Sequence, residues 1–278
     1  MTAVNLTRLL KKANKNNYAV AGLVVLGWED ALAFTEAADE INMPIILQAG
    51  PSCRAHTPVP ILGKMFRYLA DQTKTPICCH LDHGYSLSEC KEGMDFGFTS
   101  VMYDGSKLTL KKNISNTSKI AKLAKSYKIS LEGEIGIVGY HNGKVSEGTN
   151  LIEAKEFADE SGVDAMAISV GNTHLQTNKI AQIDIKKIKN IQSLTNIPLV
   201  LHGSSGISYQ MRKKIARTTS VAKFNIGTEL RMVAGNSLRE NINYNIKIFD
   251  RLQLLKPTIS KIKNQTKKII KNIGISNE

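Results

Sequence analysis

Residues 79–84 read Cys-His-Leu-Asp-His-Gly, which puts a thiol, two imidazoles and a carboxylate in six positions. Side chains of these types hold divalent metal ions or pass protons. The chain has six histidines, and four of them, His80, His83, His174 and His202, stand at or just beyond the end of a short apolar run. His56 and His141 do not. Carboxylates occupy similar places: Asp82 between the first two histidines, Asp104 in Tyr103-Asp104-Gly105-Ser106, and Glu132 and Glu134 in Glu132-Gly133-Glu134. One such histidine is more often a satisfied polar residue than a ligand. Imidazoles at the ends of three runs, with carboxylates at two more, describe a metal site if the fold brings those ends to one point. Three neutral imidazoles with an open position are a catalytic zinc arrangement, since a structural site closes its fourth position with protein.

The elements that must position these groups alternate along the chain. Short β-branched or apolar runs occur at Tyr18–Leu23, Pro44–Gln48, Pro76–Leu81, Ser100–Tyr103, Ser130–Glu134, Ala165–Val170, Pro198–Leu201 and Ala222–Ile226. Several are continuously apolar, as parallel strands covered on both faces are. Between them the period changes to 3.6: Ala31, Phe34, Ala38 and Ile41 share one helix face, and Ile120, Leu123, Ala124 and Tyr127 another. Ser86, Asn150 and Ser208 stand where helices would begin, with Glu89 and Glu153 completing capping boxes for the first two. Eight strand–helix units point to an α/β chain folded as a (β/α)8 TIM barrel, one domain over residues 1–278. A doubly wound open sheet is the alternative, weakened by the lack of a glycine-rich phosphate turn after the first strand.

A closed barrel predicts chemistry at the C-terminal ends of its strands, where the histidines and carboxylates fall. Side chains alternate along a strand, so Cys78, His80 and Asp82 share one side and His83 takes the other. His83, at the rim, can turn into the mouth with its loop, while His80 is open between supporting a ligand and packing. Asp82 is either an acid/base or a carboxylate that orients an imidazole. The turn His202-Gly203-Ser204-Ser205-Gly206 after strand 7 and Asn225-Ile226-Gly227-Thr228 after strand 8 stand where TIM barrels often bind phosphate through backbone N–H groups. They favour a phosphorylated ligand.

The 278 residues carry a formal net charge of +13, mostly from scattered lysines. Lysines are densest over Lys256–Lys271, where Ile259, Ile262, Ile269, Ile270 and Ile273 recur at helical spacing. A C-terminal amphipathic helix with a solvated basic face is the simpler reading, ahead of a nucleic-acid-binding tail. A basic surface also attracts phosphorylated substrates. The absence of an 18-residue apolar run argues against a membrane span, and the N-terminus lacks the apolar region of a signal peptide, so a cytoplasmic protein is expected. Cys53, Cys78, Cys79 and Cys90 form no CxxC pair and are expected to be reduced, buried thiols.

In order, HLDHG, SVMYDGS, LEGEIG, PLVLHGSSG and FNIGTE resemble the motifs of class II, zinc-dependent ketose-bisphosphate aldolases, which cleave fructose or tagatose 1,6-bisphosphate. The resemblance runs over nearly the whole chain. It implies that His83, His174 and His202 hold Zn2+ and that Asp82 is the general acid/base at the C4 oxygen. Glu134 and Asp104 correspond to carboxylates near the metal, where a second cation, including a monovalent one, can bind. Gly203, Ser205, Asn225 and Thr228 would hold the dihydroxyacetone phosphate half, with Ser204, Ile226 and Gly227 in the same two turns. A homo-oligomer, dimer or tetramer, is the expected assembly.

Departures from the family pattern mark the other half of the site. Two asparagines usual near the end of strand 1 are replaced by Val24 and Leu26, and a serine after strand 2 by the Gly50-Pro51 region. The acid of fructose-type enzymes in the strand 8 motif is Gly227. The adjacent acids usual in the loop after strand 5 are missing, which leaves His141 and Glu147 as candidate replacements. Arg251 and Arg54 are the candidates for the distal phosphate. An atypical aldolase acting on a ketose bisphosphate is therefore expected, with two alternatives: a related lyase for another phosphorylated keto-sugar or sugar acid, and a barrel without turnover that binds sugar phosphate or nucleic acid.

Overall fold

Eight parallel strands close into a barrel in chain order: β1 (Val20–Val24), β2 (Ile45–Ala49), β3 (Ile77–Gly84), β4 (Ser100–Tyr103), β5 (Ser130–Ile135), β6 (Ala165–Ile168), β7 (Leu199–Leu201) and β8 (Val221–Ile226). β1 closes the ring on β8, with Ala21 beside Phe224 and Gly22 beside Asn225. Helices follow the strands around the outside, as expected for a (β/α)8 barrel. The computed structural model describes residues 2–140 and 146–275.

All eight expected runs form strands, and the two clearest differences at their ends have local causes. β3 continues through the His-Leu-Asp-His-Gly motif because Gly84 regains pairing with Tyr103 after a register shift beyond Leu81. β6 stops at Ile168, short of Val170, because side chains take over its backbone groups. Thr149 Oγ1 accepts from Ser169 N–H, and Asn172 accepts from Val170 N–H while donating to Ile168 O. Ser86, Asn150 and Ser208 all cap helices by accepting N–H bonds, from Glu89, from Ile152 and Glu153, and from Met211.

The barrel interior is apolar below and polar above. Leu6, Leu9, Leu10 and Ala13 of the helix Leu6–Lys15 plug the bottom against Val20, Ile46, Cys78, Ala165 and Val200. Above this plug Gln48, His80, Glu132 and Lys223 are fully buried. Gly22 makes room for them, since a Cβ there would lie 1.7 Å from Gln48 Oε1. The second core lies between strands and helices, and Cys79, Leu81, Phe224 and Ile226 belong to it. The expected alternation along β3, with Cys78, His80 and Asp82 inward, therefore holds.

The C-terminal amphipathic helix is Thr258–Ile273. It buries Ile262, Ile269, Ile270 and Ile273, and its lysines pair with neighbouring acids: Lys263 with Glu36 and Glu40, Lys267 with Glu40. Among the described residues no helix is long and apolar enough to cross a membrane. All four cysteines are free and buried. Burial pushes the Cys53 thiol up to about 11 and those of Cys78 and Cys90 up to about 12, so they remain protonated.

Candidate active site

β3 delivers both Asp82 and His83 to the mouth by breaking its own alternation. His83 has φ 51°, in the left-handed region, and the register slip between Leu81 and Gly84 turns its ring inward. Such a backbone costs on the order of 1–3 kcal/mol and needs support. Arg54 provides it, donating to the carbonyl oxygens of Ala49, Asp82 and His83 and pairing with Glu89 at 3.2 Å. This corrects the expectation for Arg54. Its guanidinium braces β3 and is not directed at a phosphate.

His83 Nδ1 lies 2.9 Å from Asp104 Oδ2, which fixes the ring and leaves Nε2 as the nitrogen not engaged by Asp104. Asp104 also accepts from the Ser106 N–H and hydroxyl, and these bonds with His83 overcome burial to hold its carboxyl well below the usual range. His202, at the end of β7, is 2.9 Å from Glu132 Oε1 through Nε2. Its Nδ1 faces Glu134 Oε2 at 3.2 Å. His174 lies on the loop after β6, held by its N–H to Gly139 O at 2.8 Å and stacked on Tyr140 with ring centroids 5.0 Å apart. The rings of His83 and His202 are 4.7 Å apart, and His174 is 5.6 Å from one and 5.9 Å from the other. One nitrogen from each of His83, His174 and His202 falls within 4.8 Å of the others, and atoms of His83, Asp104 and Glu134 meet the same limit.

The chemistry of this cluster fits a divalent ion. His202 Nδ1 and Glu134 Oε2 are buried and face each other at 3.2 Å, with no other hydrogen-bond partner among the described residues. Asp82, Asp104, Glu132 and Glu134 crowd the region, against Lys223 as the buried ammonium there. Burial pushes the His174 imidazole down to about 3, so its lone pair is available. Burial also presses on His202, but Glu132 and Glu134 outweigh it and raise the imidazole to about 10. The ion-free site thus draws a proton into a place short of positive charge, and a dication meets the same need.

Asp82 is the carboxylate beside this cluster that opens to the mouth. Burial would raise it, yet His83, His202 and Lys223 bring it down to about 2, and Asn225 donates to Oδ1 at 3.3 Å. It is ionised at neutral pH and able to take a proton. His80 is fully buried; it bonds Ser100 Oγ at 2.9 Å and lies 3.3 Å from Lys223 Nζ and 3.8 Å from Glu132 Oε2. From sequence Glu132 stands only as a strand-end carboxylate, and Lys223 has no role. The available signal was a lysine two positions before Asn225, and therefore on the same inward face of β8.

The mouth is a cavity of about 360 Å³, with His83, His174 and Asp82 toward one side. Gly203, Ser205, Asn225, Gly227 and Thr228 line the part expected to take phosphate. Gly203 has φ 61°, and a Cβ there would lie 2.3 Å from Thr173 O, so glycine permits the close approach of two loops. The helix Thr228–Tyr244 starts at this point, with the Glu229 N–H donating to Ser205 Oγ at 3.1 Å and the Leu230 N–H to Gly227 O at 3.0 Å. Ser204 and Ile226 do not contribute side chains: the Ser204 hydroxyl donates to Leu201 O at 2.8 Å, and Ile226 is buried toward the helices. Arg251 is exposed on the helix Arg251–Leu255 and lines a different cavity. Glu147 is exposed, with its backbone paired to Ile137, and is not part of the mouth lining. His141 lies outside the described residues.

A family model described as fructose-bisphosphate aldolase class-II matches residues 4–278. The chain belongs to this family. It is a class II aldolase, a carbon–carbon lyase, with 32% identity over 284 residues to a fructose-bisphosphate aldolase of Staphylococcus aureus, covering 100% of this chain and 99% of the relative. It is also 30% identical over 286 residues to a 6-phospho-5-dehydro-2-deoxy-D-gluconate aldolase of Shouchella clausii, covering 100% and 97%. Among solved structures, the YdjI aldolase from Escherichia coli K12 superimposes with a TM-score of 0.87 at 27% identity, covering 98% of this chain and 97% of that one.

Proposed function

We propose that this aldolase reversibly cleaves a ketose bisphosphate, most simply fructose 1,6-bisphosphate, to dihydroxyacetone phosphate and an aldehyde. The observation that carries the reading is the convergence of His83, His174 and His202 within 4.8 Å beside the ionised Asp82. These three histidines would hold Zn2+, with Glu134 against His202 and Asp104 orienting His83; the two carboxylates are also the place for a second cation. When bound, the ion supplies Lewis acidity toward the charge that develops as the C3–C4 bond breaks. Asp82 takes the C4 hydroxyl proton in cleavage and returns it in condensation. Gly203, Ser205, Gly227 and Thr228 bind the phosphate of the dihydroxyacetone half, while Asn225 keeps Asp82 in place.

The test is cleavage of fructose and tagatose 1,6-bisphosphate by metal-loaded protein. Activity should vanish with chelator, return with Zn2+ and withstand borohydride, because no lysine Schiff base is required. Turnover that survives complete metal removal would sink the reading. A second reading, a phosphorylated sugar acid as substrate, is favoured by the Shouchella relative's name and by the nonpolar Val24 and Gly227 in the mouth. Turnover of 6-phospho-5-dehydro-2-deoxy-D-gluconate, with none of either bisphosphate, would select it.

We place the enzyme in the cytoplasm as a homo-oligomer. The segment after the helix Thr228–Tyr244 supports assembly, because Ile246, Phe249 and Leu252 are 86%, 96% and 70% exposed. Light scattering on the purified protein measures the oligomeric state.

A further inference from the structure

Two of the three clustered histidines are held by carboxylates, and the third is not. Asp104 bonds the His83 ring at 2.9 Å, and Glu132 bonds the His202 ring at 2.9 Å. The His174 ring makes no hydrogen bond to a described residue. Its backbone setting is also demanding. Leu175, the next residue, has φ 59°, in the left-handed region that a leucine side chain disfavours. An imidazole that is to hold a metal here needs another source of orientation.

Tyr140 supplies it. Its ring lies on the His174 ring with centroids 5.0 Å apart and planes inclined by 30°. The backbones of the two residues form a parallel bridge, and the His174 N–H donates to Gly139 O at 2.8 Å. The segment that carries Tyr140 is itself tied down. Ile137 and Glu147 exchange both backbone hydrogen bonds, and Ser146 Oγ accepts from the Gly139 N–H at 3.0 Å while donating to Asn172 O at 3.1 Å. Tyr140 is 49% exposed and lines the mouth beside His174, and its hydroxyl has no hydrogen-bond partner among the described residues. The ring contact is therefore the specific interaction of this side chain. Such a contact acts on metal binding in two ways. It fixes the imidazole before an ion arrives, and it strengthens afterwards, because an imidazole that donates to a cation is electron-poor and faces the negative π cloud of the phenol.

We propose that Tyr140 is the positioning residue of His174, doing by stacking what Asp104 and Glu132 do for the other two rings by hydrogen bonding. This rests on the reading of the three histidines as the metal site. The loop after β5, which lacks the adjacent acids usual in the family, thereby acts on the metal through an aromatic ring.

The test is Zn2+ affinity, measured by competition with a chromogenic chelator. Tyr140→Leu keeps apolar bulk but loses the aromatic face, and should weaken binding by about tenfold. Tyr140→Ala deletes the ring without replacing its bulk and should match it, so the comparison survives if either variant fails to fold. Tyr140→Phe should stay within about twofold of wild type, because the ring and not the hydroxyl carries the effect. The visible absorption of Co2+-loaded protein gives a second readout, altered in Tyr140→Leu and retained in Tyr140→Phe. Tyr85→Leu is the control: Tyr85 lines the same mouth at 47% exposure but is not stacked on His174, and its variant should bind Zn2+ as the wild type does. Wild-type affinity in both Tyr140→Leu and Tyr140→Ala overturns the proposal. So does a loss in Tyr140→Phe or in Tyr85→Leu as large as that in Tyr140→Leu. Zn2+ binding that is undetectable in the wild type, or unchanged in His174→Ala, overturns the metal reading together with this proposal. Binding that depends on His174 but not on Tyr140 removes the proposal alone.

Discussion

Lys223 Nζ lies 2.6 Å from Glu132 Oε2, with both side chains fully buried inside the barrel. The other oxygen of Glu132 is 2.9 Å from His202 Nε2. An ammonium, a carboxylate and an imidazole therefore connect the barrel interior to the histidine cluster. The ammonium compensates a carboxylate that would otherwise be charged in a dry interior, and the carboxylate in turn aims His202.

Lys223→Met tests this arrangement. Removing one member of a buried pair leaves the other uncompensated, so the variant should lose about 3–5 kcal/mol of stability. Denaturant unfolding of the wild type and variant under identical metal conditions measures the loss. Glu132→Gln should weaken metal binding by about 10–100-fold by loosening His202, read by competition with a chromogenic chelator. Wild-type metal affinity in Glu132→Gln would show that Glu132 does not aim the ring.

Asp82→Asn separates proton transfer from metal binding. The side chain keeps its size and its contact with Asn225, but it cannot take a proton. We expect kcat for cleavage to fall by about 10²–10⁴-fold. Metal content, measured by elemental analysis after dialysis, should stay at the wild-type level, because His83, His174 and His202 are untouched. Loss of bound metal would instead make Asp82 a ligand or a support for one.

The barrel was legible because strand and helix periods alternate plainly and parallel strands buried on both faces read as apolar runs. The histidine cluster followed from where the motifs fall on those strands. Arg54 was misread because a sequence does not show that a left-handed His83 needs its neighbouring carbonyls braced. The sequence shows Glu132 as a strand-end carboxylate but not its partner Lys223, because a buried ion pair joins residues 91 positions apart in the chain.

Metal affinity should depend on pH through His202. In the ion-free protein its imidazole is raised from 6.5 to about 10, so at neutral pH it holds a proton that must leave when an ion binds. Binding should therefore strengthen by about tenfold per pH unit from pH 7 to 9 and level off above about pH 10. Calorimetry in buffers of different ionisation enthalpy should show about one proton released per ion. A flat affinity with no proton release would mean that His202 is already neutral in the ion-free protein.

Gly203→Ala tests how closely the loops after β6 and β7 must approach. The new Cβ would meet Thr173 O at 2.3 Å, and the backbone at φ 61° disfavours any L side chain. Thr173 immediately precedes His174, so relieving the clash moves the loop that carries His174 as well as the turn after β7. The variant should bind metal more weakly and show a KM for the ketose bisphosphate raised by about tenfold or more. Ser204→Ala is the comparison, because its hydroxyl donates to Leu201 O at 2.8 Å and does not face the mouth. It should lower stability by about 1 kcal/mol while changing KM far less. If Ser204→Ala raised KM as much as Gly203→Ala, the turn would be binding phosphate through the Ser204 hydroxyl, not through the backbone approach that the glycine permits.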